Sequence, residues 1–201
     1  MGAKRNAVAV IAAMDEAATL PLLLAQVHDL HLAEVIVVAN GPADYVARLA
    51  RQAGATVLRY EERVGHDVGR ALGAARTPAG VGAVLFLDAD LVIPTDQLLP
   101  FVTAVGDGVD VALNRVDVYI PPQARLHPVN AAKRFLNCAL GRADLGCASL
   151  TAVPHAISGK ALAQLGAAAL SVPPRALAQA IRAGLSVEAV HPVDVVRANA
   201  R

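Results

Sequence analysis

Tryptophan is absent from this chain, and aromatic residues make up only 3% of it. A core built without them relies on Ala and Val, which pack helices thinly against a sheet. Charge is scarce as well, at 17% with a formal net of +1. That balance leaves no electrostatic footprint for nucleic acid or for an anionic membrane surface. Lysine is nearly missing, with only Lys4, Lys133 and Lys160 beside an arginine-rich remainder; this reads as coding bias and carries no function. The two cysteines, Cys138 and Cys147, have no His or Cys at metal spacing around them. Two such cysteines do not suggest a disulfide framework, and a reducing cytoplasm is expected. No apolar run reaches the ~18 residues of a bilayer span. The apolar run near the N-terminus ends at Met14, too short for a signal peptide followed by a cleavage site. The expectation is a soluble protein.

What is present is a core. Hydrophobic residues make up 55% of 201 positions, enough for one globular domain and too many for a disordered chain. The first hundred residues alternate regularly. Continuous apolar runs at Ala7–Ala13, Val35–Ala39 and Ala83–Leu87, with a further strand at Ala55–Tyr60, predict strands buried on both faces. Helical spacing predicts helices over Thr19–Leu30, Ala43–Ala53 and Val68–Arg76. Such strand–helix repeats build a mostly parallel sheet covered on both faces. After Asp90 the rhythm breaks. A helix is expected over Thr95–Val105, a strand over Val109–Leu113, and a mobile loop over Asp117–His127 containing Pro121-Pro122. Helices come next over Asn130–Leu140, Gly159–Leu165 and Arg175–Ala183, with strands over Ser149–Val153 and Leu185–Val190. The expected organisation is one α/β domain over residues 1–201, with the segment after residue 105 completing the first half rather than forming a second domain.

In an open parallel sheet, ligands bind beyond the carboxyl ends of the strands. The polar residues there are Asp15 and Glu16, Asn40 and Asp44, the segment Glu61 to Arg70, and Asp88 with Asp90. Asp88-Ala89-Asp90 is the sharpest feature: two carboxylates leave a buried strand one residue apart, suited to Mg²⁺ or Mn²⁺. A turn or helix cap is the plainer reading of the same residues. The glycine-spaced stretch Gly65-His66-Asp67-Val68-Gly69-Arg70, with Gly73, suits either close approach to a phosphate or tight helix–sheet packing. No G-x-G-x-x-G follows the first strand, and neither a P-loop nor a G-x-S-x-G elbow occurs.

Together these positions resemble a family 2 glycosyltransferase of the GT-A fold, a Rossmann-like single domain. Val10-Ile11-Ala12-Ala13-Met14-Asp15-Glu16 resembles that family's opening strand, which ends in Pro-x-x-Asn-Glu. Val35 to Asp44 resembles its VIVVDNGSTD segment, Gly65 to Gly73 its glycine-rich segment, and Phe86-Leu87-Asp88-Ala89-Asp90 its metal motif. The resemblance implies a metal-dependent transfer of sugar from a UDP- or GDP-sugar to an acceptor hydroxyl. It implies that Ala13, Glu16, Asn40, Gly65, His66, Arg70 and Asp88 hold the nucleotide sugar, and that Asp90 binds the metal, with His191 a candidate further ligand.

The sequence departs from the family in three places. Ala39 stands where the family carries Asp, Asp15 where it carries Asn, and Ser171 to Arg175 holds no carboxylate where inverting members place a Glu-Asp pair. The missing pair leaves the general base unassigned. His155 and Asp144 are candidates for it. Arg115 is a candidate for pairing a phosphate or an acidic acceptor, His127 for closing over substrate, and His28 and His31 read as surface residues at a helix end. The gap also keeps open a non-catalytic nucleotide or sugar binder on the same fold. A soluble acceptor, or a lipid-linked one reached by peripheral membrane contact, fits equally.

Overall fold

The computed structural model of the chain describes residues 5–42, 44–120 and 126–195. Seven strands form one sheet: β1 (Arg5–Ala13), β2 (Leu32–Asn40), β3 (Thr56–Tyr60), β4 (Ala83–Asp88), β5 (Val111–Asn114), β6 (His155–Ser158) and β7 (Val187–His191). Their spatial order is β3-β2-β1-β4-β6-β5-β7. All pairs are parallel except those of β6, which runs antiparallel to both β4 and β5. The carboxyl ends of the other six strands therefore share one edge of the sheet.

The apolar runs become strands because both faces are covered. Helices α1 (Leu20–His28), α2 (Asp44–Gln52) and α4 (Thr95–Gly106) lie on one face, against Ile11, Val37, Leu85 and Leu87. Helices α3 (His66–Ala75), α6 (Gly159–Leu165) and α7 (Pro173–Arg182) cover the other, against Val10, Val38, Phe86 and Ile157. Leu85, Phe86 and Leu87 are fully buried, each removing apolar surface worth roughly 1.5–3 kcal/mol. The α3 contact is made by backbone. A Cβ on Gly73 would overlap Val10 Cγ1, so only glycine lets the helix sit this close. Gly69 has ordinary clearance, with Ala12 Cβ at 3.5 Å.

The second half differs from expectation at two points. Ser149–Val153 is not a strand. Ser149 Oγ accepts from Thr151 N–H, and Ala152 N–H donates to the Ser149 carbonyl, which holds the segment in a turn. The strand begins beyond Pro154, with His155 as its first residue. Within the expected loop, Val116–Tyr119 forms a single 3₁₀ turn; Pro121-Pro122, like Ala43, lies outside the described residues.

Helix α5 (Pro128–Ala139) is inside out. Its exposed positions include Pro128, Ala131, Ala132, Phe135, Cys138 and Ala139, with Phe135 76% exposed. Asn130, Lys133 and Asn137, at i, i+3 and i+7, share its inner side, and Asn137 alone is fully buried. Asn137 Nδ2 donates to the carbonyls of Gly146 and Ala148, at 2.8 and 3.0 Å, so this helix is fastened by amide hydrogen bonds.

Candidate functional site

The exits of β1, β2 and β4 and the start of α3 converge at the carboxyl edge of the sheet. Ala13 ends β1, fully buried, and its carbonyl accepts from Asn40 Nδ2 at the end of β2. The Asn40 side chain is buried, and its Oδ1 has no hydrogen-bond partner among the described residues. Glu16 folds back so that Oε2 accepts from the Met14 N–H. Asp15 pairs with Arg63 at 2.7 Å, on the β3 side. Gly65 precedes α3 with φ of 81°, a left-handed conformation that glycine adopts without strain. It aims the unpaired N–H groups of the first turn of α3 at this edge, a ready site for an anion.

Arg70 is the pin of the cluster. Only 4% exposed, it grips Asp88 with two nitrogens, at 3.1 and 2.5 Å. Its Nη1 donates to Asp67 Oδ1 at 2.8 Å and reaches the Thr151 carbonyl at 3.5 Å. Burial would raise the Asp88 pKa, but His66 and the Arg70 charge more than offset it and hold the carboxyl below its ordinary value. His66 Nδ1 lies 3.5 Å from Asp88 Oδ1. The carboxylate raises the imidazole pKa above its usual value against the cost of burial. Asp67 is raised by its own burial, partly countered by Arg70.

Asp90 is different. Its Oδ1 is buried with no hydrogen-bond partner among the described residues, and burial, then the neighbouring Asp88 charge, raises its pKa. A buried carboxylate oxygen left without a donor fits a cation. Among the described residues no three His, Cys, Asp or Glu side chains converge to form a complete metal cage. That suits Mg²⁺ or Mn²⁺, which take one or two carboxylates and complete their shell with substrate phosphates and water.

A profile described as glycosyl transferase family 2 matches residues 8–162, more than three quarters of the chain. The chain belongs to glycosyl transferase family 2. Solved structures agree on the fold. Glucosyl-3-phosphoglycerate synthase from Mycobacterium tuberculosis, in complex with Mn²⁺, UDP-glucose and phosphoglyceric acid, superposes with a TM-score of 0.61 at 24% identity. The match covers 79% of this chain and 58% of the synthase, so the chain spans less than two thirds of that protein's length. A further mycobacterial protein superposes with a TM-score of 0.66 at 23% identity, over 98% of this chain and 70% of its own. No curated protein matches the sequence.

Within this family 2 domain, the structure brings together Ala13, Glu16, Asn40, Gly65, His66, Arg70, Asp88 and Asp90. It does not bring the remaining candidates to them as reactive groups. His155, expected beyond a strand, instead opens β6, 2% exposed. Its ring stacks on Phe86 at 5.0 Å and its Nδ1 meets the Ala152 carbonyl at 2.9 Å. Burial, then the Arg70 charge, lowers its pKa to about 3, so it is a neutral packing group beneath the site. Asp144 is held bidentate by Arg142, at 2.9 and 2.6 Å, in an open cleft of about 720 Å³ against β7. Arg115 lines the same cleft, with both side-chain hydrogen bonds going to the Ala189 carbonyl. His191 ends β7, with its ring edge-on to Phe101. Strand spacing puts β7 about 14 Å from β4 across the sheet, so His191 stands far from Asp90. His127 caps α5, accepting from the Val129 N–H. His28 is largely exposed at the end of α1, 3.6 Å from Asp29, and His31 comes soon after, also exposed.

Two parts of the site escaped the sequence. The Thr151 carbonyl comes from a turn that reads as a strand, and no residue-type signal marks a backbone acceptor. The Arg63–Asp15 pair joins residues 48 apart in the chain and is visible only in the fold. Asp67 with Arg70, at i and i+3 on one helix, was the part that spacing could have paired.

Proposed function

We propose that this domain is a metal-dependent glycosyltransferase that moves a sugar from a nucleoside diphosphate sugar to an acceptor hydroxyl. The observation that carries the reading is the buried, unpartnered Oδ1 of Asp90 beside an Asp88 fixed by Arg70. Asp90 would hold Mg²⁺ or Mn²⁺ together with the donor diphosphate. When bound, the ion neutralises charge developing on the leaving diphosphate. The N-terminus of α3 and His66 face the phosphates, and their donors stabilise the same charge. Asp88, immobilised by Arg70, orients the ribose or sugar. Asn40, whose Nδ2 donates to the Ala13 carbonyl and whose Oδ1 has no partner among the described residues, and the Asp15–Arg63 pair line the place of the base. The half up to residue 105 thus holds the donor, and the half after it presents the acceptor. UDP-sugars are the first donors to test, because the synthase of the same fold holds UDP-glucose; GDP-sugars are the second.

No helix among the described residues is long and apolar enough to cross a membrane. An acceptor on a lipid would be met by peripheral contact. Cys138 and Cys147 are both unpaired, consistent with work in the cytoplasm.

The second reading is a nucleotide-sugar binder without transfer activity. It is favoured by the absence of any carboxylate over Ser171 to Arg175, where α7 begins. Calorimetric titration of UDP and GDP, with and without Mn²⁺, tests both. The expected result is binding of one nucleotide that requires Mn²⁺ and weakens at least tenfold in Asp90→Ala. Absence of binding by either nucleotide would overturn both readings. Slow hydrolysis of the donor sugar separates enzyme from binder.

A further inference from the structure

Among the described residues, Lys133 is a cation without a paired anion. It lies on the inner side of α5, half-buried, and makes no hydrogen bond or ion pair with any described residue. Burial lowers its pKa below the usual lysine value. The neighbouring Cys147 thiol supplies no counter-charge at neutral pH, since burial and then Asp117 push its pKa up to about 11. A half-buried ammonium that has lost part of its hydration and gained no partner is costly unless something supplies the charge.

Lys133 also lines a pocket of about 100 Å³, with Asn130, Tyr119 and Ala152. That space holds several waters, hence one small anion. Asn130 sits one turn before Lys133 on the same side of α5 and makes no side-chain hydrogen bond to a described residue, so its amide is available as a second donor. Asp194 lines the same pocket and has an interaction of its own. Ala152 fixes the location: it comes directly after Thr151, whose carbonyl reaches Arg70, the residue that grips Asp88. One wall of the pocket is therefore the turn that also contacts Arg70, in the half of the chain read above as the acceptor side.

We propose that the Lys133–Asn130 pocket is an acceptor subsite for one anionic group, a phosphate or carboxylate. The acceptor is then an acidic molecule whose hydroxyl is presented to the donor while its charged group rests on Lys133. This rests on the glycosyltransferase reading above. An acidic small molecule and a phospholipid headgroup offer the same group, and they differ in what else the surface must meet.

The test titrates inorganic phosphate into the protein saturated with Mn²⁺ and UDP, which occupies the donor site. It compares wild type with Lys133→Met and Lys133→Arg. Expected is phosphate binding that weakens at least tenfold in Lys133→Met and is kept in Lys133→Arg, with UDP affinity equal in all three. Phosphate affinity unchanged in Lys133→Met, or no phosphate binding by wild type, overturns the subsite. Failure of the underlying reading shows separately, as loss of UDP binding in wild type. A parallel sedimentation with phosphatidic acid vesicles identifies the source. Lys133-dependent pelleting assigns a lipid headgroup; phosphate binding without pelleting assigns a soluble acid.

Discussion

The two halves of the molecule treat their polar groups in opposite ways. Up to α4, polar residues stand at the carboxyl ends of parallel strands and are drawn into one network around Arg70 and Asp88. Beyond it, they are dispersed: Asn137 fastens an inverted helix, Arg115 and Arg142 meet carbonyls of β7, and Lys133 meets no described partner. The difference arises from topology. A parallel strand delivers its next residues to the site edge, while antiparallel β6 begins there, so His155 enters the sheet instead of leaving it. One half gathers its polar groups into a single network, and the other leaves them apart.

The contrast is open to attack by substitution. Arg70→Met removes the buried partner of Asp88 and leaves its charge uncompensated, at a cost of about 3–5 kcal/mol; urea unfolding reads the loss, and a variant as stable as wild type would dissolve the network. Gly73→Ala forces α3 off Val10, costing about 1–3 kcal/mol by the same measurement. The pH response is smaller and comes from His155. Its folded pKa of about 3 lies below the ordinary 6.5. The stability it protects is whole above pH 6.5 and falls as pH drops toward 3, because only the unfolded chain takes the proton. The slope is about 1.4 kcal/mol per pH unit. Unfolding at pH 7 and pH 5 in wild type and His155→Asn should show the larger drop in wild type; parallel drops would mean the ring is protonated in place. Least of all, Phe135→Ser on the outer side of α5 should change stability by no more than about 0.5 kcal/mol. A larger change would mean that this side is covered in solution.

The first half was legible because its signals agree. Continuous apolar runs, helical spacing and the polar residue after each run all point to one sheet edge, and the strands fall within a few residues of expectation. The second half misled where local hydrogen bonds overrode an apolar run. Ser149 and Thr151 tie the segment into a turn, and the strand slid to His155, turning a reactive candidate into a core residue. The partnerships at the site were illegible for another reason: Arg70 to Thr151 spans 81 residues, and no local pattern encodes such a pairing. Nothing in the residues around Lys133 marks its side of α5 as the inner one; only the fold does so.

The position of β6 also sets an order of assembly. A chain emerging from its N-terminus has β3-β2-β1-β4 in hand once residue 88 is available. The next strand made, β5, pairs only with β6 and β7, and so has no neighbour until residues 155–158 arrive to lie between it and β4. For roughly forty residues of synthesis, the nascent protein carries one finished subsheet with an open flank and one orphan strand. That interval is when it most needs shelter from other chains.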